Sequence, residues 1–197
     1  MFGTEKQKTG YPSIDKPWLK FYDKALNESD IPECSAYHLL YQNNKDYMDD
    51  VALIYFNKKI KFKELFENIR KTAMSLTALG IGKGDIVTLQ VLNMPQTVYL
   101  FYALSYIGAV ANMIYFSASV KETNEILINT KSKMYIAIDS LWETHKESVK
   151  GTDVQHVLLL KIAESADVVT RTIVNIKLKA VKAANCMNWK QGLKYGN

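Results

Sequence analysis

Residues 86–120 contain no Asp, Glu, Lys, Arg or His, a run of thirty-five positions. A stretch that long without charge is at home only out of water, in a bilayer or in a protein core. A membrane span needs about 20 predominantly apolar residues in succession. Here Asn93-Met94-Pro95 and Gly108 cut the run into pieces of strand and helix length. The pattern predicts a strand over 86–91, a turn, a helix over 95–107, a glycine turn and a strand over 110–114. That is a β-α-β unit, and it selects the core over the bilayer.

The same rhythm extends to both sides. Residues 51–56 (VALIYF) and 60–62 predict a hairpin whose Asn57-Lys58-Lys59 turn lacks the favoured Asn-Gly pair. Leu65, Phe66, Ile69, Ala73 and Leu76 form one apolar stripe, which predicts a helix over 63–79 with Gly80 as its left-handed cap. Ser35 is placed to cap an earlier helix carrying Tyr37 to Tyr41. Ser119-Val-Lys-Glu122 reads as a capping box opening a helix over 120–129, and Ser140-Leu-Trp-Glu143 as a second one opening a helix that reaches Lys150. Strands are expected over 134–138 and 154–160, a basic amphipathic helix over 166–184, and loop over the last dozen residues. Residues 1–17 read as an extended lead-in, followed by Trp18, Leu19, Phe21, Tyr22, Ala25 and Leu26 as anchors of a short helix docking on the main body. Strands alternating with helices imply an α/β fold, a mainly parallel β-sheet flanked by helices on both faces. The expected domains are thus 1–17, the lead-in, and 18–197, one α/β unit.

Charge and cysteine usage narrow the function classes. The formal net charge is +5, and no acidic residue follows Asp167, whereas Arg171, Lys177, Lys179, Lys182, Lys190 and Lys194 do. A basic segment of this kind raises association with an anionic membrane as an alternative to plain packing on the sheet. It does not predict a nucleic-acid partner, because neither an RNA-recognition aromatic pattern nor zinc-finger spacing accompanies it. Cys34 and Cys186 are far apart in sequence and form no C-x-x-C, so neither a disulfide framework nor a structural metal site is expected. The N-terminus lacks an apolar signal core, which makes a reducing cytoplasm the default compartment.

No complete active site emerges from the residues themselves. Gly80-Ile-Gly82-Lys-Gly84 has the density of a phosphate loop but the opposite context: it closes a helix and enters a strand, where a phosphate loop leaves a strand and opens a helix. Asp139 and Asn93 fall at the C-terminal ends of predicted parallel strands, where open α/β sheets bind ligands. Both also suit helix capping, which is the plainer reading. His38, His145 and His156 are scattered, with no H-x-x-x-H arrangement, so no metal site is assigned. Asp49-Asp50 and Glu64/Glu67 read as a loop and a solvated helix face. Catalytic, cofactor-binding and metal residues are all assigned as none.

An ordered set of pieces goes further. It comprises Val51-Ala-Leu-Ile, Phe62-Lys-Glu-Leu, Ala78-Leu-Gly-Ile-Gly-Lys-Gly-Asp-Ile-Val, Val91-Leu-Asn-Met-Pro-Gln, Gly108-Ala-Val and Lys131-Ser-Lys-Met-Tyr-Ile-Ala-Ile-Asp. In order and spacing, across about residues 17–160, it resembles the start of the adenylate-forming acyl-CoA synthetases, the AMP-binding ligases of the ANL superfamily. The resemblance implies the N-terminal subdomain of that fold. It implies a parent enzyme that activates a carboxylic acid as an acyl-adenylate with ATP and Mg²⁺ and transfers it to coenzyme A. The family's later motifs are missing: the Gly-rich loop ending in Gly-x-Pro-Lys, the aromatic-Gly-x-Thr-Glu motif, the ribose-binding Asp and the C-terminal lysine. Lys61 also stands where a capping Thr is common. The expectation is therefore an N-terminal fragment that is inactive alone, binds no cofactor and self-associates through a face its parent would cover. The alternatives are a non-catalytic binding domain with a ligase-like fold, or the same region of an adenylation domain charging a carrier protein.

Overall fold

The computed structural model describes residues 9–22, 32–165 and 186–194. The chain divides into two compact units, Met1–Glu33 and Cys34–Asn197. In the first unit, a single turn of helix α1 (Pro12–Asp15) sits within the stretch expected to be extended. The Asp15 carboxylate accepts hydrogen bonds from the Thr9 and Gly10 amides at 2.9 and 2.8 Å, and Pro12 presets the first helical φ. A 3-10 helix follows over Pro17–Phe21.

The second unit opens with α2 (Ala36–Asn44), capped as expected by the Ser35 hydroxyl accepting from the His38 amide at 3.2 Å. The hairpin β1 (Val51–Tyr55) and β2 (Lys58–Lys61) is antiparallel and forms its own two-stranded sheet. Asn57 and Phe56 adopt positive φ of 62° and 44° at its turn. Helix α3 (Phe62–Ala78) buries the predicted stripe. Its N-cap is Lys61, which offers no side-chain bond; the Phe62 and Lys63 amides instead donate to the Asp50 and Met48 carbonyls, both at 3.0 Å. Backbone carbonyls of the preceding loop thus replace the missing capping side chain.

The main sheet contains β3 (Ile86–Gln90), β4 (Val110–Met113), β5 (Met134–Ile138), β6 (His156–Leu160) and β7 (Met187–Asn188), all parallel, in the order β4-β3-β5-β6-β7. Helix α4 (Pro95–Ile107) links β3 to β4, and α5 (Val120–Thr130) links β4 to β5. Residues alternate across β5. Met134, Ile136 and Ile138 join α3, α4 and Trp189 in the larger apolar cluster, and Tyr135 and Ala137 join Leu127 of α5 and Trp142 in the smaller one. Helices therefore cover both faces, as parallel strands require.

Two local expectations are corrected. The box at Ser140 does not form: Asp139–Leu141 is a 3-10 turn, then α6 (Trp142–His145) and a second 3-10 turn (Lys146–Val149), with no side-chain cap. The true box is at Ser119, where the Ser119 hydroxyl accepts from the Glu122 amide at 3.2 Å and the Glu122 carboxylate accepts from the Ser119 amide at 2.8 Å. The last dozen residues are not all loop, since Met187–Asn188 pairs with β6 and Trp189–Lys194 is helical. Trp189, 8% exposed, supplies the apolar anchor that the pattern concealed, because its only local signal is one aromatic residue. The basic helix expected over 166–184 lies outside the described residues.

Candidate functional site

The strand order reverses between β3 and β5, and the connections after these neighbours leave on opposite faces: α4 toward the larger cluster, the α6 segment toward the smaller. Such a switch point opens a crevice beyond the carboxyl ends of the strands, the usual ligand position in open α/β sheets. Asn93 and Asp139 both lie there. Asn93 is exposed and does not cap α4; the N-cap is Met94, without a side-chain bond, and the Thr97 hydroxyl donates to the Leu92 carbonyl at 2.6 Å instead. Asn93 lines a cleft of about 270 Å³ between the first turn of α4 and Leu53, Ile54 and Tyr55 of the hairpin. The Tyr55 hydroxyl donates to the Ile162 carbonyl at 2.7 Å, strapping the hairpin to the loop after β6. Burial raises the Asp139 carboxyl above its ordinary value, opposed by the Ser140 amide and by Lys161.

Beneath this edge lies a buried polar node that the sequence reading missed. Gln90, the last residue of β3, is wholly buried. Its Oε1 accepts from the Tyr135 hydroxyl at 2.5 Å and the Thr123 hydroxyl at 3.3 Å, and its Nε2 donates to the Phe116 and Ala118 carbonyls at 3.2 and 3.1 Å. His145 Nε2 lies 2.9 Å from the same Ala118 carbonyl, which assigns it as a donor. The node fastens β3, β5, α5 and α6 to the loop after β4. Its signal was present: Thr88 and Gln90 alternate with Val87 and Leu89, so one face of β3 is polar. A few residues on, the carboxamide of Gln96 in the first turn of α4 is equally buried, yet among the described residues neither its oxygen nor its nitrogen has a hydrogen-bond partner.

The remaining candidates do not converge. His38 is exposed on α2 and His156 begins β6. The Cys186 thiol is pushed up to about 11 by burial, and Cys34 is exposed. Asp49 and Glu64 pair with Lys61 and Lys58, both at 3.1 Å, and Glu67 pairs with Lys71 at 2.6 Å. The glycines at 80–84 are punctuation: Gly80 has φ 80° and closes α3, while Asp85 accepts from the Gly82 amide and pairs with Lys133 at 3.0 Å. Among the described residues no three His, Cys, Asp or Glu side chains gather as metal ligands, and the neutral orphan amide of Gln96 is no substitute for carboxylates. Mg²⁺ therefore finds no carboxylate cluster among the described residues. No helix among them is long and apolar enough to cross a membrane.

Strand order, switch point and two-sided helix cover define a doubly wound parallel α/β domain. The chain belongs to the AMP-binding enzyme family, which it matches over residues 40–195. It is 25% identical over 185 residues to an acetyl-coenzyme A synthetase of Bartonella bacilliformis, covering 85% of this chain and 28% of that protein. It is 29% identical over 96 residues to a long-chain-fatty-acid–CoA ligase of Bacillus subtilis, covering 48% of this chain and 17% of that one. It shares its fold with coronafacic acid ligase from Pectobacterium brasiliense, at TM-score 0.66 and 21% identity over 81% of this chain and 29% of the other. The chain thus spans about a quarter of the length of the relatives it matches.

Proposed function

We propose that this chain supplies the N-terminal scaffold of an ATP-dependent acid–thiol ligase in a reducing cytoplasm. In that reaction a carboxylate oxygen attacks the α-phosphorus of ATP and pyrophosphate leaves. The sulfur of coenzyme A then attacks the acyl carbonyl, and AMP leaves. The family match through residues 40–195 carries this reading. Relatives named for acetyl and long-chain acids support a carboxylic-acid substrate without fixing its size.

The described residues hold the framework and do not perform the reaction. No metal cluster gathers among them, and the switch-point crevice presents a half-buried carboxyl, Asp139, and an exposed amide, Asn93. Titration calorimetry of the 197-residue chain with Mg-ATP is expected to give no binding heat; micromolar affinity would overturn the assignment of this chain as scaffold. In the protein encoded by the full reading frame, a panel of acetate, fatty acids and benzoate is expected to elicit acid-dependent pyrophosphate–ATP exchange with at least one member. Exchange with none of them would overturn the ligase reading.

A further inference from the structure

Among the described residues β4 ends the five-stranded sheet and pairs on one side only, with β3. The Val110 and Ile114 amides donate to the Asp85 and Leu89 carbonyls at 2.9 and 3.0 Å, so the even-numbered residues of this strand face β3. By the alternation of a parallel ladder, Ala111 and Met113 turn their N–H and C=O groups to the open side. Natural sheets guard such edges with Lys, Pro, a bulge or a covering segment. This edge has none of the first three. Residues 110–116 carry no charge and no proline, and the pairing with β3 is regular. Among the described residues no strand lies against its outer side, and Val110, Met113 and Tyr115 are 48%, 49% and 85% exposed.

The two ends of the edge differ in charge. At its start the Lys83 side chain lies against Gly108, 3.2 Å from where a Cβ would stand, and has no ion-pair partner among the described residues. Beyond its end, Met113 and Tyr115 share a groove of about 580 Å³ with Ile126, Glu122 and Glu125 of α5. Glu122 is engaged in the capping box; among the described residues Glu125 pairs only with the exposed Lys121, at 3.8 Å.

We propose that the open edge of β4 pairs antiparallel, about a two-fold axis, with β4 of a second copy of this chain. The arrangement lays the start of one strand beside the end of the other. It therefore brings Lys83 of each copy to the Glu125 groove of the other, so that one contact supplies both the backbone ladder and the charge match. It joins two five-stranded sheets into one continuous sheet and covers the exposed Met113 and Tyr115.

Sedimentation velocity of the 197-residue chain across a concentration series tests this. The expected result is a monomer–dimer equilibrium that weakens with salt. Met113→Pro removes one outward N–H and leaves the β3 pairing untouched, and is expected to abolish the dimer. Lys83→Glu is expected to weaken it about tenfold, because each charge pair occurs twice. The swap Lys83→Glu with Glu125→Lys is expected to restore it. Circular dichroism checks that each variant is folded; should Met113→Pro unfold, the charge swap decides. A monomer at every concentration, a dimer indifferent to Met113→Pro in a folded variant, or a swap that fails to restore it would overturn the proposal.

Discussion

Gln90 and Gln96 stand close together in the uncharged stretch, and both are wholly buried. Gln90 satisfies its carboxamide fully, with two donors to its oxygen and two carbonyls for its nitrogen. Gln96 finds no hydrogen-bond partner among the described residues. The first is a cross-link that fixes where the β4 loop returns over the sheet. The second is a desolvated amide whose cost the fold carries at the edge where this architecture binds ligands. Burial is the same; the bonding differs, and bonding separates a structural polar group from a destabilising one.

The largest break in that comparison is Gln90→Leu, which takes the acceptor from the Tyr135 and Thr123 hydroxyls and the donor from the Phe116 carbonyl and is expected to cost about 2–3 kcal/mol in urea unfolding. Combining it with Tyr135→Phe sharpens the point. The double variant is expected to lose less than the sum of the singles, since the hydroxyl stranded by the first change is removed by the second. Gln96→Leu is expected to have the opposite sign, a gain of about 1 kcal/mol, because it deletes an unpaired buried amide with little change of volume. A loss of stability there would show that Gln96 has a partner after all.

Smaller effects test the caps. Ser119→Ala is expected to cost about 1 kcal/mol and Ser140→Ala to leave the thermal midpoint nearly unchanged, since of these two serines Ser119 alone caps a helix through its side chain. The smallest contrast is between two carboxylates. The Gly82 amide and then Lys133 hold Asp85 below its ordinary 3.8, so its contribution is complete above that value and is lost as pH falls through and below it. Asp139 is raised chiefly by burial, so its ionised form is the strained one and its stabilising effect fades as pH rises above 3.8. At pH 7 Asp85→Asn should lower the melting midpoint and Asp139→Asn should raise it slightly.

Sequence periodicity revealed the framework because period and burial coincide in it. The helix predicted over Pro95–Ile107 and the strand over Met134–Ile138 match the structure, and the α3 stripe is buried as expected. Errors fell where a local pattern competes with tertiary context. Ser140-Leu-Trp-Glu143 has the letters of a capping box, but Trp142 is drawn into the smaller apolar cluster and the backbone there coils as 3-10. Asn93 looked like a cap, yet the bend after β3 puts Met94 at that position. The Gln90 node was less legible still. Its members Gln90, Thr123, Tyr135 and His145 come from four elements, and only the alternation of Thr88 and Gln90 hinted at a polar face.

The Tyr55–Ile162 bond has a consequence in time. Its two residues are 107 positions apart, and the hairpin that carries Tyr55 is made early in synthesis. At about 5–20 residues per second, the hairpin leaves the ribosome roughly 5–20 s before its anchor exists. β1 and β2 have only each other as strand partners even in the finished fold, and a two-stranded hairpin on its own is marginal in water, so the bond to Ile162 is a late addition to its support. A hairpin made ahead of the main sheet is thus tethered over that sheet's carboxyl edge only once β3 to β6 have been made.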